Sequence, residues 1–311
     1  MKGKKILRLI IGVGLVSFGL ILINQTNAQA PAILAISPLT FEITVNPGES
    51  ISNVVRVSNL SDYPITTKIE AQDFTAAGET GEVVVQEEIA EIYSLAKWIK
   101  VEPETFDLES HSQKLINFTI SVPSNAEPGG HYGTILASTM AGGAPGGAMV
   151  VQKVGALLLV SVTGAVKESL WLKSFEVPYF SEYGPIQFVS RFENKGTVHL
   201  KPRGFISITN WLGKEVASLP LEQNNVLPNS IRAISTTWEK HWLFGQYTAT
   251  LGAIYGFQNE PLSGVATFWV IPWRISLGVF LVFVALLIFF YKSRKRWIAA
   301  LRVLLKGEPK T

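Results

Sequence analysis

A long apolar segment near the C-terminus constrains this chain more than any other feature of its 311 residues. Residues 275–290 contain no charged side chain, with Pro272 and Trp273 before them and Tyr291 after them. The segment approaches the roughly 20 residues that an α-helix needs to cross a bilayer. A buried core helix is the competing interpretation, but soluble cores rarely hold such a segment beside a basic cluster. We therefore predict one transmembrane helix over residues 273–291.

Aromatic and basic residues around this segment predict its orientation. Positive charge marks the cytoplasmic end of a membrane helix, and tryptophan and tyrosine favour the two interfaces. The predicted membrane-interface residues are Trp269, Trp273, Tyr291, Lys292, Arg294, Lys295 and Arg296. Because the basic cluster follows the apolar segment, we predict a single-pass protein of the cell membrane, with its N-terminus outside and its C-terminus in the cytoplasm.

Both ends of the chain carry further targeting signals. Residues 1–28 contain basic residues, then an apolar run, then small residues up to Ala28, which is the order of a cleaved secretory signal peptide. An uncleaved anchor is the alternative. Residues 292–311 place apolar residues at helical spacing opposite basic ones, as in an amphipathic helix on an anionic inner leaflet. A stop signal with no further role explains that tail equally well.

The net charge of +3 is unevenly distributed along the chain. The predicted extracellular region, residues 29–273, holds 15 Lys and Arg against 23 Asp and Glu. Its first part, residues 29–166, holds 6 basic and 15 acidic residues, whereas residues 167–273 hold 9 and 8. An acidic extracellular region argues against nucleic acid as a partner. The step in charge is a first indication of two domains.

The chain contains no cysteine. Export permits disulfides, so we predict that the extracellular domains are stabilised by packing alone. Two domains of roughly 100 to 140 residues are large enough for this. Exported proteins without cysteine are common among Gram-positive and related bacteria, which favours a bacterial source.

Alternating apolar and polar residues, interrupted by turn residues, run through the extracellular region. The pattern predicts about eight short strands, at residues 41–45, 51–58, 65–74, 82–86, 98–101, 114–122, 132–140 and 155–163. A second group follows at residues 170–177, 186–194 (ending in a turn at 194–196), 202–210, 215–219, 232–238, from 245 onward, and 264–270. Such groups of strands are typical of immunoglobulin-like β-sandwiches. Only residues 87–96 read as a short helix or crossover. The predicted fold is all-β, with two tandem immunoglobulin-like β-sandwiches over residues 29–166 and 167–272, followed by one transmembrane α-helix.

Three turn motifs give the first predicted domain a family resemblance. Residues 46–49 form an Asn-Pro-Gly-Glu turn before a strand that ends in residues 58–62. Phe106-Asp107-Leu108 leads to a strand that ends in Val122-Pro123, and Pro128-Gly129-Gly130-His131-Tyr132-Gly133 precedes a later strand. These motifs resemble the first, peptidoglycan-binding domain of the WxL-interacting surface proteins. Pilus-chaperone-like domains share part of the pattern. We interpret Gly129, Gly130 and Gly133 as structural, in a tight turn that needs positive φ.

The second predicted domain extends this resemblance. Its Pro-Asn-Ser, Trp and Gly-x-Tyr motifs at residues 228–230, 238 and 245–247 are similar to those of the second domain in the same family, which also precedes a membrane helix. The resemblance implies a WxL-domain protein and peptidoglycan as partners. No Trp-x-Leu tripeptide occurs in this sequence, so the chain is not itself the WxL partner.

The sequence offers no pattern for catalysis or metal binding. It has no Gly-x-Ser-x-Gly elbow, no His-Glu-x-x-His motif and no cysteine nucleophile. The acidic groups at 87–91 and 102–107 lack the loop of a strong calcium site. The four histidines lack partners at metal-ligand spacing: His111, His131, His199 and His241. We predict no enzyme activity, no cofactor and no metal.

Aromatic residues divide into expected core and candidate contacts. Four tryptophans fall in predicted strands and are interpreted as core: Trp98, Trp171, Trp238 and Trp269. Trp211 lies at a predicted hairpin turn, and Trp242 and Phe244 lie in a loop. Exposed aromatic residues are enriched at interfaces, so these three are the predicted partner-binding residues.

Three functional hypotheses follow. The first is a non-enzymatic, membrane-anchored surface or scaffold protein that binds another surface protein, peptidoglycan or both, with strand pairing as a reasonable mode. The second is an exported assembly factor resembling pilus chaperones, although those are soluble. The third is a cell-wall-processing enzyme, which the missing catalytic patterns disfavour.

Overall fold

The computed structural model describes residues 33–86, 91–140 and 151–306, with the side chains of residues 91 and 294–306 outside the description. The predicted signal peptide and part of the predicted crossover at 87–96 lie outside the described residues. Within them, the fold prediction is confirmed. The chain forms two β-sandwiches and one C-terminal α-helix.

The described residues of the first sandwich form ten strands: β1 (Leu34–Ser37), β2 (Thr40–Val45), β3 (Ser50–Asn59), β4 (Ile65–Ala77), β5 (Glu82–Gln86), β6 (Ile99–Glu102), β7 (Thr105–Leu108), β8 (Gln113–Ser121), β9 (Gly129–Thr139) and β10 (Lys153–Val162). One sheet has the order β1-β3-β8-β6. The other has the order β2-β10-β9-β4-β5, with β7 also pairing with β4. Consecutive strands β1 and β2 therefore belong to opposite sheets, and β2 runs parallel to β10 at the sheet edge.

The second sandwich contains eight strands: β11 (Leu170–Glu176), β12 (Phe180–Ser181), β13 (Ile186–Asn194), β14 (Arg203–Asn210), β15 (Glu215–Pro220), β16 (Ile231–Trp238), β17 (Gly245–Tyr255) and β18 (Glu260–Val270). One sheet has the order β11-β13-β16 and the other the order β12-β18-β17-β14-β15. The hairpin turn predicted at 211–214 joins β14 to β15.

Each sandwich has its own hydrophobic core because alternate side chains of both sheets point inward. In the first, Val55 and Phe118 of one sheet meet Ile135 and Leu158 of the other. In the second, the buried residues include Phe188, Ile208 and Phe268. The prediction that Trp171 belongs to the core is wrong. It is exposed on β11, because its neighbour Leu170 occupies the inward position.

The segment predicted as a helix or crossover contains two short 3-10 turns, Glu91–Tyr93 and Ala96–Trp98. Asp73 of β4 attaches it to the sheet. Its buried carboxylate accepts hydrogen bonds from the Ser94 hydroxyl at 2.6 Å and from the Leu95 and Ala96 amides at 2.9 and 2.7 Å.

The C-terminal helix, α1 (Trp273–Lys306), has 34 residues. Its first 21 residues, Trp273–Ser293, have a mean hydropathy of 2.4 and are not buried against the sandwiches, so they form a candidate membrane span. The backbone stays helical across the predicted boundary between residues 291 and 292. The amphipathic tail therefore remains a prediction, as does the orientation of the helix.

Candidate binding cleft between the two sandwiches

A small apolar cluster joins the two sandwiches. Phe74, Tyr132 and Leu159 lie on the adjacent strands β4, β9 and β10 and pack with Leu227, which precedes β16. The first three alternate with core residues, so they occupy the outer face of their sheet. We call these four residues the junction cluster. All four are buried, so the second sandwich covers apolar surface that the first could not bury by itself.

Hydrogen bonds and ion pairs surround the junction cluster. Glu42 of β2 accepts from Lys201 Nζ at 2.6 Å and from Asn225 Nδ2 at 2.7 Å. On the other side, Glu79 accepts from Arg191 Nε at 2.7 Å, and its backbone carbonyl accepts from the amide of Ala233 at 2.8 Å. The hairpin between β4 and β5 is thus attached to the outer edge of β16.

Three titratable groups at the junction have shifted pKa values. Burial lowers the pKa of His199 to about 4 and raises the pKa of the Tyr132 hydroxyl, which lies 3.4 Å from His199 Nδ1. Burial alone would raise the pKa of Glu42. The hydrogen bonds from Lys201 and Asn225 outweigh that effect and lower it. At neutral pH the junction therefore contains a neutral tyrosine, a neutral histidine and an ionised glutamate.

The predicted turn glycines lie at the start of β9. Gly129 has φ +141°, and the Gly130 amide donates to the Thr197 carbonyl of the second sandwich at 2.8 Å. A Cβ at Gly129 would approach that same carbonyl oxygen to 2.9 Å. Gly133 lies within β9 under Leu95 and Ile99. Gly130 and Gly133 are strand residues, and the absence of side chains permits close packing of neighbouring segments there.

Next to the junction cluster lies a cleft of about 270 Å³. Its floor is apolar and includes Phe74, Val83, Leu157, Leu159 and Leu227. Its rim is polar and is formed by Glu42, Lys201, Gln223, Asn224, Asn225 and Arg232. The lining therefore combines large apolar side chains with a larger number of polar ones.

Arg232 is the unusual residue of this cleft. Its guanidinium lies against Gly81, where a Cβ would overlap it, and burial lowers its pKa. Its Nε is buried and makes no hydrogen bond to any residue that the structure describes. An unsatisfied buried donor on a charged group is unfavourable, so an acceptor bound in the cleft that Arg232 lines would stabilise its guanidinium.

The edge strand β5 borders the same cleft. Among the described residues it pairs only with β4, and Val85 is paired with Phe74 and shares its face. Val84 and Val85 are both exposed. Exposed apolar edge strands are uncommon because they offer unpaired backbone groups to other chains.

The three predicted partner-binding residues lie elsewhere. Trp211 is in the β14–β15 turn, and Trp242 and Phe244 are in the loop between β16 and β17. All three are exposed, on two loops at the end of the second sandwich from which α1 emerges. They are thus near one another but not in the cleft.

The predicted membrane-interface residues bracket the apolar part of α1. Trp269 lies near the end of β18, and Trp273 is the first residue of the helix, with Arg274 over its ring. Tyr291 and Lys292 lie at the other end of the candidate span. For Arg294, Lys295 and Arg296 only the helical backbone is described.

No described part of the chain holds a group of three or more metal-binding side chains. The histidines have separate structural contacts: His111 pairs with Asp62 at 2.8 Å, and buried His131 bonds to the carbonyls of Ser94 and Glu127.

Comparison with known proteins adds little beyond the class of fold. No protein-family model matches the sequence, and no curated protein matches it. The resemblance to the WxL-interacting proteins therefore stays a prediction.

Several solved structures of pilus-chaperone-like immunoglobulin folds are similar to this chain. The class 5 fimbriae chaperone CfaA is 15% identical, covering 75% of this chain and 98% of its own, with a TM-score of 0.39. The YadV chaperone is 12% identical, covering 76% and 100%, with a TM-score of 0.37. A PapD-like domain of human CEP192 is 14% identical, covering 43% and 87%, with a TM-score of 0.30. At these values no function is drawn from the similarity.

Sequence reasoning did not identify the cleft. Phe74, Leu157 and Leu159 lie in strands where every apolar residue is a candidate for the core, and Arg232 resembles any strand arginine. One signal was available, the continuous apolar run at residues 156–160. A strand with only one buried face alternates apolar and polar residues, so an uninterrupted apolar run indicates that both faces of the strand are covered.

Proposed function

We propose that this protein is a membrane-anchored, non-enzymatic binding protein that holds an extended segment of another exported or surface protein in the cleft between its sandwiches. The observation that carries the proposal is the buried, unsatisfied Arg232 Nε beside an apolar floor. Apolar side chains of the bound segment would cover Val83 of the floor and Val85 beside it. A carbonyl or carboxylate of the segment would accept from Arg232.

The edge of β5 supplies the mode of binding. A bound segment would add a strand beside β5, so that its backbone groups pair with the edge that no described strand occupies. Its alternate side chains would lie on the face of Val83 and Val85. Val83 and Val85 of β5 share the face of Ala76 and Phe74 on β4. The new strand would therefore lie next to Val83, at the β5 side of the apolar floor, whereas Leu157 and Leu159 on β10 lie three strands from β5. The helix Trp273–Ser293 would keep the complex at the membrane.

Two functions are consistent with this mode of binding, and they differ in how long the segment stays bound. A retained segment would make the protein a scaffold for a surface partner, such as the WxL-domain protein that the sequence resemblance implies. A released segment would make it an assembly factor. The exposed valines of β5 favour the assembly factor, because an apolar edge pairs most readily with a strand that has not yet found its own partner.

Site-specific photo-crosslinking in the producing cells tests the proposal. A photoreactive phenylalanine replaces Val85 beside the cleft in the full chain, and in the control it replaces Leu115, which is exposed on the outer face of the opposite sheet. We expect an adduct at position 85 that contains one extended segment of an exported protein. Arg232→Gln should lower its yield roughly tenfold, as expected for loss of a charged hydrogen bond.

Equal adducts at positions 85 and 115 would contradict the cleft as the site. Persistence of the adduct after the partner has matured would identify a scaffold, and its disappearance an assembly factor. Sedimentation with purified peptidoglycan tests the polymer as a partner. Retention that is unchanged by Arg232→Gln would place that binding outside the cleft, and cleavage of the polymer would refute the non-enzymatic proposal.

A further inference from the structure

The end of the second sandwich that adjoins α1 has an unusual surface. Three loops meet there, at residues 177–185, 211–214 and 239–244. We call this set the proximal loops. Their exposed large apolar residues are Tyr179, Phe180, Tyr183, Trp211, Leu212, Trp242 and Phe244. Trp211 and Leu212 are each 68% exposed, so this end of the sandwich presents apolar groups rather than burying them.

The opposite end of the same sandwich is a natural comparison. Its loops lie at residues 195–202, 221–230 and 256–259 and are mostly polar. Phe257 is the one large apolar residue in these loops that is exposed. The apolar character therefore belongs to one end of the sandwich, and it is the end that faces the helix.

The register of the strands fixes the height of the proximal loops relative to the first residue of α1. Asn210, at the start of the β14–β15 turn, is level with Tyr247, and Tyr247 is level with Phe268 of β18. Only Ile271 and Pro272 separate β18 from α1. At a rise of about 3.3 Å per residue, the tip of that turn lies within about 10 Å of the height of Trp273.

Contacts at the joint keep the sandwich close to the helix. The Ile271 amide donates to the Ser181 carbonyl at 3.0 Å, and the Trp269 amide donates to the Tyr179 carbonyl at 2.9 Å. Arg274 Nε lies 3.5 Å from Glu182 Oε2. The first proximal loop is therefore attached to the chain up to the first turn of α1.

The other proximal loops are held by their own hydrogen bonds. The Asn210 carboxamide oxygen accepts from the Leu212 and Lys214 amides at 3.0 Å each. The Tyr247 hydroxyl lies 3.2 Å from both the amide and the carbonyl of Phe244. The apolar side chains are thus presented on fixed backbone, which reduces the entropy that a contact would remove.

We propose that the proximal loops insert into the outer lipid interface and that the bilayer covers Trp211, Leu212, Trp242 and Phe244. Aromatic residues favour this interface, and an apolar surface is stable when it lies about 5–10 Å into it. The inference rests on the membrane anchoring by α1 in the proposed function. The short joint brings a lipid surface to these loops in every molecule, which favours lipid over a second protein.

Collision measurements on single nitroxide labels test this inference. The chain has no cysteine, so one substitution gives one labelling site. Full-length Leu212→Cys, Phe257→Cys and Leu286→Cys are each reconstituted into liposomes of phosphatidylcholine and phosphatidylglycerol. We expect the ratio of oxygen to nickel-chelate accessibility at position 212 to exceed that at position 257 at least roughly threefold, since oxygen concentrates in lipid and the chelate in water.

Position 257 is the control for a loop in water, and position 286 reports whether α1 crosses the bilayer. An accessibility ratio at position 212 that equals the ratio at position 257, together with a high ratio at position 286, would overturn the inference and leave the anchoring intact. A label at 286 that resembles 257 would instead overturn the anchoring. A label at position 212 that is shielded from the nickel chelate only after a second protein is added, and not in liposomes that hold the labelled chain alone, would refute lipid as the covering surface.

Discussion

Two buried asparagines hold equivalent turns in the two sandwiches. Asn59 ends β3 and is paired with Leu34, the first residue of β1, while Asn194 ends β13 and is paired with Leu170, the first residue of β11. The Asn59 carboxamide donates to three backbone carbonyls and accepts from Ser61. The same residue type at the same place indicates that both sandwiches close this turn by one mechanism.

At Asn194 the carboxamide donates to the Val198 and Val226 carbonyls at 2.8 Å and accepts from the Gly196 amide at 2.8 Å. We expect Asn194→Ala to destabilise the protein by about 3 kcal/mol, because it leaves these buried groups without partners. Asn53→Ala, at an exposed strand position, should change stability by less than about 0.5 kcal/mol. Urea unfolding of the full chain in detergent, followed by tryptophan fluorescence, measures both. Similar losses for both variants would contradict this role.

The sequence predicted these two turns but not what holds them. Asn59 and Asn194 both stand among turn residues, and that pattern was sufficient to end the strands correctly. Their buried hydrogen bonds reach residues up to 50 positions away, such as Glu109. A local pattern carries no information about such distant partners. The prediction that Trp171 belongs to the core was wrong for a related reason. In a strand alternate residues face the core, and the local sequence did not show which of Leu170 and Trp171 does so.

Individual strands were largely predictable because alternation is a local property. The predicted limits of β5 and β13 coincide with the structure, at 82–86 and 186–194. Three short strands were not predicted: β1, β7 and β12 have four, four and two residues. A segment that short contains few alternations and is difficult to distinguish from a loop, although β6, also of four residues, was predicted one residue out of register.

Close approach of β14 and β17 depends on a glycine. A Cβ at Gly204 would overlap the Gly252 carbonyl oxygen on the neighbouring strand, whereas a Cβ at Gly252 would meet nothing within 4 Å. We expect Gly204→Ala to lower the free energy of unfolding by about 2 kcal/mol, since the strands must separate. Gly252→Ala is the matched control, and its effect should be neutral or slightly stabilising. Urea midpoints that fall equally in both variants would refute the packing argument.

At the scale of the whole molecule, the stability of the junction between the sandwiches depends on pH. Because the pKa of His199 is lowered from its ordinary 6.5 to about 4, the unfolded chain takes up a proton first as the pH falls. The associated stability is complete above pH 6.5 and is lost between 6.5 and 4, by at most about 3 kcal/mol. The lowered pKa of Glu42 acts in the same direction at still lower pH.

We expect the urea concentration at the unfolding midpoint to be lower at pH 4.5 than at pH 7.5 in the wild-type protein. The difference between the two pH values should be smaller in His199→Gln. His111→Gln is the control, because that histidine is exposed and pairs with Asp62 outside the junction. An identical pH dependence in the two variants would contradict the assignment to His199.

The arrangement of the two sandwiches could not be predicted from the sequence. The step in net charge at residue 166 indicated two domains, but Glu42 and Lys201 are 159 positions apart and meet only in the folded chain. The junction residues of the first sandwich occupy outward positions of strands. An outward apolar residue signals that something covers it, without saying what.

The bond between the Glu79 carbonyl and the Ala233 amide has a consequence for the integrity of the second sandwich. Strand β16 is an outer strand of its sheet, and unprotected outer strands associate with one another in crowded solution. The overhanging hairpin of the first sandwich occupies part of that strand. The first sandwich therefore protects the second, because it occupies part of the edge at which two copies of β16 would otherwise pair, and cleavage between the sandwiches would expose that edge.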